Sequence, residues 1–152
     1  MNLVEILQAQ SEAIITASFQ GMQRVPLQHY EQGGAEQTRE RLRALYQLVV
    51  QCVSQKNVAP IIAHAESIAA ARFASGFDLY EVQTAFNVLE EATWNMLLKN
   101  LPPAEYAHAL GLVGTVLGAG KDALARRYVE QASRIKAPSL NLQALFAGTE
   151  GG

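Results

Sequence analysis

The side chains in this sequence that could do chemistry are few and scattered. Histidine occurs at His29, His64 and His108 only. A neutral imidazole can act as a general base or bind a metal. Metal sites need several ligands to converge, and no His, Cys, Asp or Glu spacing brings these three together, so no metal site is predicted. Cys52 is the only cysteine, and it lies in an apolar helical run with Val49, Val50 and Val53. That setting reads as core packing rather than a nucleophile. Glu90 and Glu91 are adjacent, so on a helix they point in different directions and form no facing acid pair. There is no serine nucleophile elbow. Gly118-Ala119-Gly120-Lys121 follows no strand, and Asp122 stands where a phosphate loop needs Ser or Thr. The sequence therefore predicts a non-enzyme with no resident cofactor.

Four residues remain as candidate ligand or partner contacts: His64, Arg72, Trp94 and His108. Arg72 precedes a turn and could pair with Asp78, with Glu81 or with an acidic ligand; a buried arginine needs such a partner. Trp94 is the only tryptophan and reads as a core or interface anchor, with ligand stacking as the alternative. His64 can bond within the protein or bind a ligand. His64 or His108 would be the axial residue if the chain were a helical carrier of haem or another hydrophobic ligand. His29 and Tyr30 read as loop residues packing on the end of the fold.

The element that positions Arg72 is the best-specified turn in the chain, Ser75-Gly76-Phe77-Asp78. Gly76 supplies the left-handed conformation that commonly ends a helix. Asp78 is expected to cap the next helix, with Glu81 at the capping-box spacing and Phe77 meeting Val82 as a hydrophobic staple. Around this corner the pattern is helical throughout. A first helix is capped by Asn2 and runs to about Met22, with Gln10 interrupting its apolar face. Residues 24–35 form a connection. A second helix, capped by Thr38, ends near Lys56. A third begins at Pro60 and a fourth at Asp78. Asn100-Leu101-Pro102-Pro103 stops the fourth, and a fifth covers about Ala104 to Ile135. Gly111, Gly114 and Gly118 are predicted to mark a close approach to another helix, with a recess that admits a ligand as the alternative, since each costs about 1 kcal/mol against alanine. Ala137-Pro138-Ser139 is read as a break. The expected fold is all-α, with about five helices in an antiparallel bundle or globin-like arrangement. It forms one domain over residues 1–136, and a tail over 137–152 reads equally as a short helix capped by Ser139 or as a peptide-like segment that docks on a partner.

Composition sets the remaining bounds. A net charge of −2 and the lack of a basic stripe argue against nucleic acid. No apolar run is long enough to span a bilayer, and the N-terminus lacks the basic start of a signal peptide; a cytoplasmic location is expected. Charged residues make up only 17% against 49% hydrophobic. That balance predicts apolar surface covered by a second chain, most simply in a homodimer.

One block also carries a family resemblance. Arg72-x-x-x-Gly76-Phe77-Asp78-Leu79-x-Glu81-Val82, preceded by His64 and followed by Leu89 and Trp94, resembles the amino-terminal domain of RsbR-type stressosome proteins. The resemblance is closest to the RsbT co-antagonist RsbRD subgroup and extends over residues 42–98. It implies an all-helical, dimeric input domain of bacterial signalling, globin-like without haem in some relatives, that senses an input or binds a signalling partner. It draws attention to Arg72, with Gly76 and Asp78 structural. No STAS output module follows in this sequence, so that module's mechanism is not carried over.

Overall fold

The computed structural model describes residues 1–139, with side chains described through Arg134. Among the described residues there are seven α-helices: α1 (Leu3–Ala9), α2 (Ser11–Gln23), α3 (Gln28–Gly33), α4 (Ala35–Gln55), α5 (Ala59–Ala74), α6 (Leu79–Asn100) and α7 (Tyr106–Ser139). A single 3-10 turn, Pro103–Glu105, leads into α7. The all-α expectation holds, and the helix number is corrected from about five to seven. Two local features account for the difference.

The first is Gln10, which splits the expected first helix. Asn2 caps α1 with a full capping box: its side chain accepts from Glu5 N–H, and Glu5 accepts from Asn2 N–H. The helix then breaks at Gln10 (φ −96°, ψ 10°). Ile6 and Leu7 before the break and Ile14 and Ile15 after it are all buried. An unbroken helix would set these pairs about 80° apart around its axis; the break lets both face the core. The Leu7 carbonyl, near the end of α1, accepts from the Tyr46 hydroxyl of α4 at 2.6 Å. The buried donor thereby satisfies an acceptor at a helix end.

The second feature is α3, a short helix inside the expected connection. Gly34 follows it with φ +86°. The next helix then starts at Ala35, three residues ahead of the expected cap. Thr38 lies in its first turn, and its hydroxyl donates back to the Gly34 carbonyl at 3.2 Å. Thr38 is thus no N-cap; its backward bond is the one a threonine inside a helix commonly makes. At the far end of the chain α7 continues through Ala137 and Pro138 to Ser139, so the expected break does not occur there. The short helix expected in the tail lies outside the described residues.

The long helices α5, α6 and α7 pack together, and α2 and α4 complete the enclosure. One main core includes Ile61, Phe86, Leu89, Leu117 and Leu124, all fully buried. A smaller cluster under α3 joins Phe19, Met22, Leu27, Tyr30, Leu42 and Ala85. Phe77 touches both. Gly111, Gly114 and Gly118 have no atom within 4 Å of where a Cβ would stand. They mark no close helix approach among the described residues. The close approaches are at Gly21, whose Cβ would meet Val88 Cγ1 at 3.0 Å, and at Gly120 against Phe86 and Ile61. No helix among the described residues is long and apolar enough to cross a membrane.

Candidate functional site at the α5–α6 corner

The corner is built as a Schellman motif. Ser75 ends α5, and Gly76 follows with φ +84°. Phe77 N–H donates to the Arg72 carbonyl at 3.0 Å, and Gly76 N–H to the Phe73 carbonyl at 3.1 Å. These two bonds occupy carbonyls that a helix end leaves open. Asp78 stands at the N-cap of α6 with extended backbone, as expected, but its side chain makes no capping hydrogen bond. Its exposed carboxylate acts on α6 only through proximity to the helix dipole.

Glu81 differs from expectation for a specific reason. Rather than reaching back to the cap, it is buried, and both its oxygens lie 3.0 Å from His29 Nδ1. A carboxylate accepts, so the Nδ1–H donates. His29 comes from α3, 52 residues earlier in the chain. The expected capping box is displaced by this hydrogen bond, which also pins α3 onto the start of α6.

Phe77 is the centre of the site. The His29 ring lies 4.9 Å from it, tilted, and the Tyr30 ring meets it edge-on at 5.2 Å. The Arg41 and Arg72 guanidinium carbons stand 5.5 and 5.6 Å from the Phe77 ring centre. This is cation–π geometry. Tyr128 of α7 donates to the Phe77 carbonyl at 3.2 Å, and its ring meets Phe73 edge-on. Burial, foremost, pushes the Tyr128 phenol up to about 12. Four helices, α3, α4, α5 and α7, therefore meet at one phenylalanine.

Arg72 has neither of the partners expected for it. Among the described residues no carboxylate lies within ion-pair distance of Arg72 or of Arg41. The Arg72 Nε is buried without a hydrogen-bond partner. The Arg41 pKa is lowered, mainly by burial and next by the charge of Arg72. Burial raises the Tyr30 phenol, while the nearby Arg72 charge works against the rise.

His64 is half-buried and lines a small cavity with Arg41, Arg72, Tyr30 and Thr38. Burial, and then the Arg72 charge, push its imidazole below the ordinary value. The sign of the pH effect follows. An unfolded histidine takes up its proton near pH ~6.5, and folded His64 does so only at lower pH. The unfolded state binds more protons in that window, so His64 makes stability fall as pH drops below about 6.5. Urea melts between about pH 7 and pH 5 should show a decline that His64→Gln reduces. An unchanged decline in the variant would remove His64 as its source.

The structure thus brings together His64, Arg72, Gly76, Phe77, Asp78 and Glu81. Two expected contacts lie elsewhere. Trp94 stands 13 positions beyond Glu81 on α6, about 20 Å along the axis. It is 39% exposed, which excludes the core reading and leaves a surface role. His108 is exposed on α7. No group of three or more His, Cys, Asp or Glu that could hold a metal exists among the described residues.

Three residues of the site were read otherwise in the sequence. His29 and Tyr30 lie on α3 and not in a loop, and Arg41, on α4, is absent from the candidates that the sequence offers. Arg41 does carry a usable signal: it lies one turn before Leu45 and beside Leu42, at the edge of an apolar face. Its neighbour Arg43 is different, pairing with Glu12 and Glu40.

A family model places this arrangement. The RsbT co-antagonist protein rsbRD N-terminal domain matches residues 6–137, which contain the whole corner and every residue of the cavity. No curated protein matches the chain, and no solved structure does. With the match covering most of its length, the chain belongs to the RsbT co-antagonist protein rsbRD N-terminal domain family, a family of stress-signalling regulatory domains.

Proposed function

We propose that this chain is a non-enzymatic, cytoplasmic signalling input domain. It acts as a homodimer through protein–protein contacts and passes an input on as a shift in helix packing. Family membership supports the signalling role. The observation that carries the contact reading is on α6, where Trp94 and Leu98, one turn apart, are 39% and 42% exposed. Exposed aromatic anchors of this kind are enriched among residues that dominate binding energy. A groove between α5 and α7 offers a second surface. It has an alanine floor and a rim carrying both Glu66 and Arg126. Mixed charge of this sort suits a two-fold contact, in which one patch meets its own copy.

Light scattering on the purified chain should return twice the 16.5 kDa protomer mass. Trp94→Glu should weaken the dimer by about 2 kcal/mol or more, roughly thirtyfold, while leaving the thermal melt nearly unchanged. A monomer mass at every concentration would refute the dimer. A variant that dimerises as tightly as the parent would move the contact away from α6. The haem-carrier reading gains no support from the geometry. The cavity beside His64 measures about 80 Å³, against the roughly 300–1,000 Å³ usual for ligand pockets. A Soret band in the purified protein would reverse that judgement.

A further inference from the structure

The geometry points to a binding site for a small oxyanion in the cavity between α4, α5 and α6, held by Arg41 and Arg72 with His64 beside them. This deepens the input-domain reading by naming the class of ligand that would be sensed. The cavity of about 80 Å³ is partly enclosed and lined by these three residues, by Tyr30 and Thr38, and otherwise mainly by apolar side chains.

Charge is the first argument. The Arg41 and Arg72 guanidinium groups share the Phe77 ring, at 5.5 and 5.6 Å from its centre, and Arg41 also stands 5.7 Å from the centre of the Tyr30 ring. Neither cation has a carboxylate partner among the described residues. The acid that could have served, Glu81, is held through both oxygens by His29. The two guanidinium groups outnumber the one buried carboxylate near them, and neither is ion-paired in a partly buried place, where an unpaired charge is costly.

Hydrogen bonding is the second argument, and it is independent of charge. Arg72 Nε is the one buried side-chain nitrogen or oxygen among the described residues that lacks a partner. A buried donor left open calls for a missing acceptor. Stacking over the Phe77 ring uses none of the arginine N–H donors, and the planar fork of a guanidinium matches carboxylate and phosphate oxygens in pairs. In its neutral form, which burial favours, His64 keeps one ring N–H to donate as well.

Size is the third. The volume exceeds what one water needs, about 10–15 Å³ on the same kind of measure, and lies far below that of a nucleotide or haem site. It fits a phosphate-sized ion or a short monocarboxylate. The adjoining groove of about 340 Å³ shares Tyr30 and Thr38, but Glu31 is its only charged residue, so it would not attract an anion.

The test is calorimetric titration of the full chain with inorganic phosphate, and separately with acetate, against chloride at matched ionic strength. Saturable binding of at least one oxyanion is expected, and the responding ion identifies the class of headgroup. Arg41→Gln and Arg72→Gln should each weaken it at least tenfold. Arg43→Gln, on the same helix but outside the cavity, should not. Arg72→Lys keeps the charge and loses the fork, so it should still weaken binding several-fold. If circular dichroism shows Arg72→Gln unfolded, Arg41→Gln carries the comparison. No saturable heat with either ion, or equal binding by the Arg41→Gln/Arg72→Gln double variant, overturns the site. The mass measurement on Trp94→Glu is separate. A monomeric chain that still binds phosphate refutes the dimer and keeps the site.

Discussion

Phe86→Ala is expected to cost about 3–5 kcal/mol, the range for deleting a buried phenylalanine ring. Phe86 is fully buried on α6 in the main core, and its ring reaches the backbone of α7 at Gly120. It also lines the small cavity near Arg72. Two of the long helices thus lose one of their shared core contacts when the ring is removed. Ile61 and Leu89 are themselves fully buried, and such a packed surround relaxes only in part into the space left. Urea unfolding should show a lower midpoint with an unchanged slope, and the melting temperature should fall by on the order of 10 °C. A loss below about 1 kcal/mol would mean that the ring is not the packing centre described.

Gly120→Leu should cost roughly 3 kcal/mol at the same contact, by the opposite route of overpacking. A Cβ at position 120 would stand 2.8 Å from Phe86 Cε1 and 3.2 Å from Ile61 Cγ1. Both neighbours are fully buried, so neither can swing out of the way. The gain in helix propensity, about 1 kcal/mol, offsets only part of the strain. The two substitutions are complementary in volume. In Phe86→Ala/Gly120→Leu the new side chain enters the space the ring vacates, so the double variant should be about 1–3 kcal/mol more stable than the sum of the singles. Strict additivity would show that positions 86 and 120 do not share that space.

Most of the scaffold was legible before the structure, and the reasons are local. Gly76 ends α5 in the left-handed conformation because only glycine adopts it without strain. The inward residues of α6 recur with helical period, and Val82, Phe86, Leu89, Thr93 and Leu97 are all buried. Two proline-bearing segments bound α5 and α6 as expected. What escaped was decided across the chain. Glu81 has the right spacing for a capping box, yet a histidine 52 residues earlier takes its carboxylate. Nothing in periodicity encodes a contact at that separation. The glycines show the same limit from the other side. Gly111, Gly114 and Gly118 had the spacing of a close helix contact, but Gly120 makes it, because the facing side chains, Phe86 and Ile61, decide which glycine is needed. At the candidate site Arg72 was found from its motif. Its lack of a partner was not, since a missing ion pair is visible only once every nearby carboxylate has been placed.

The break at Gln10 has a consequence for how the molecule opens. A helix of seven residues such as α1 is too short to persist by itself in water. It stays helical only while Ile6 and Leu7 remain docked and Tyr46 holds the Leu7 carbonyl. The amides of α1 should therefore exchange with solvent hydrogen through a local opening that leaves α5, α6 and α7 closed, well below the free energy of global unfolding. In that open form Tyr46 loses its acceptor at the surface of the main core. The first helix of the chain then behaves as a latch, whose closing is coupled to the core through one phenol.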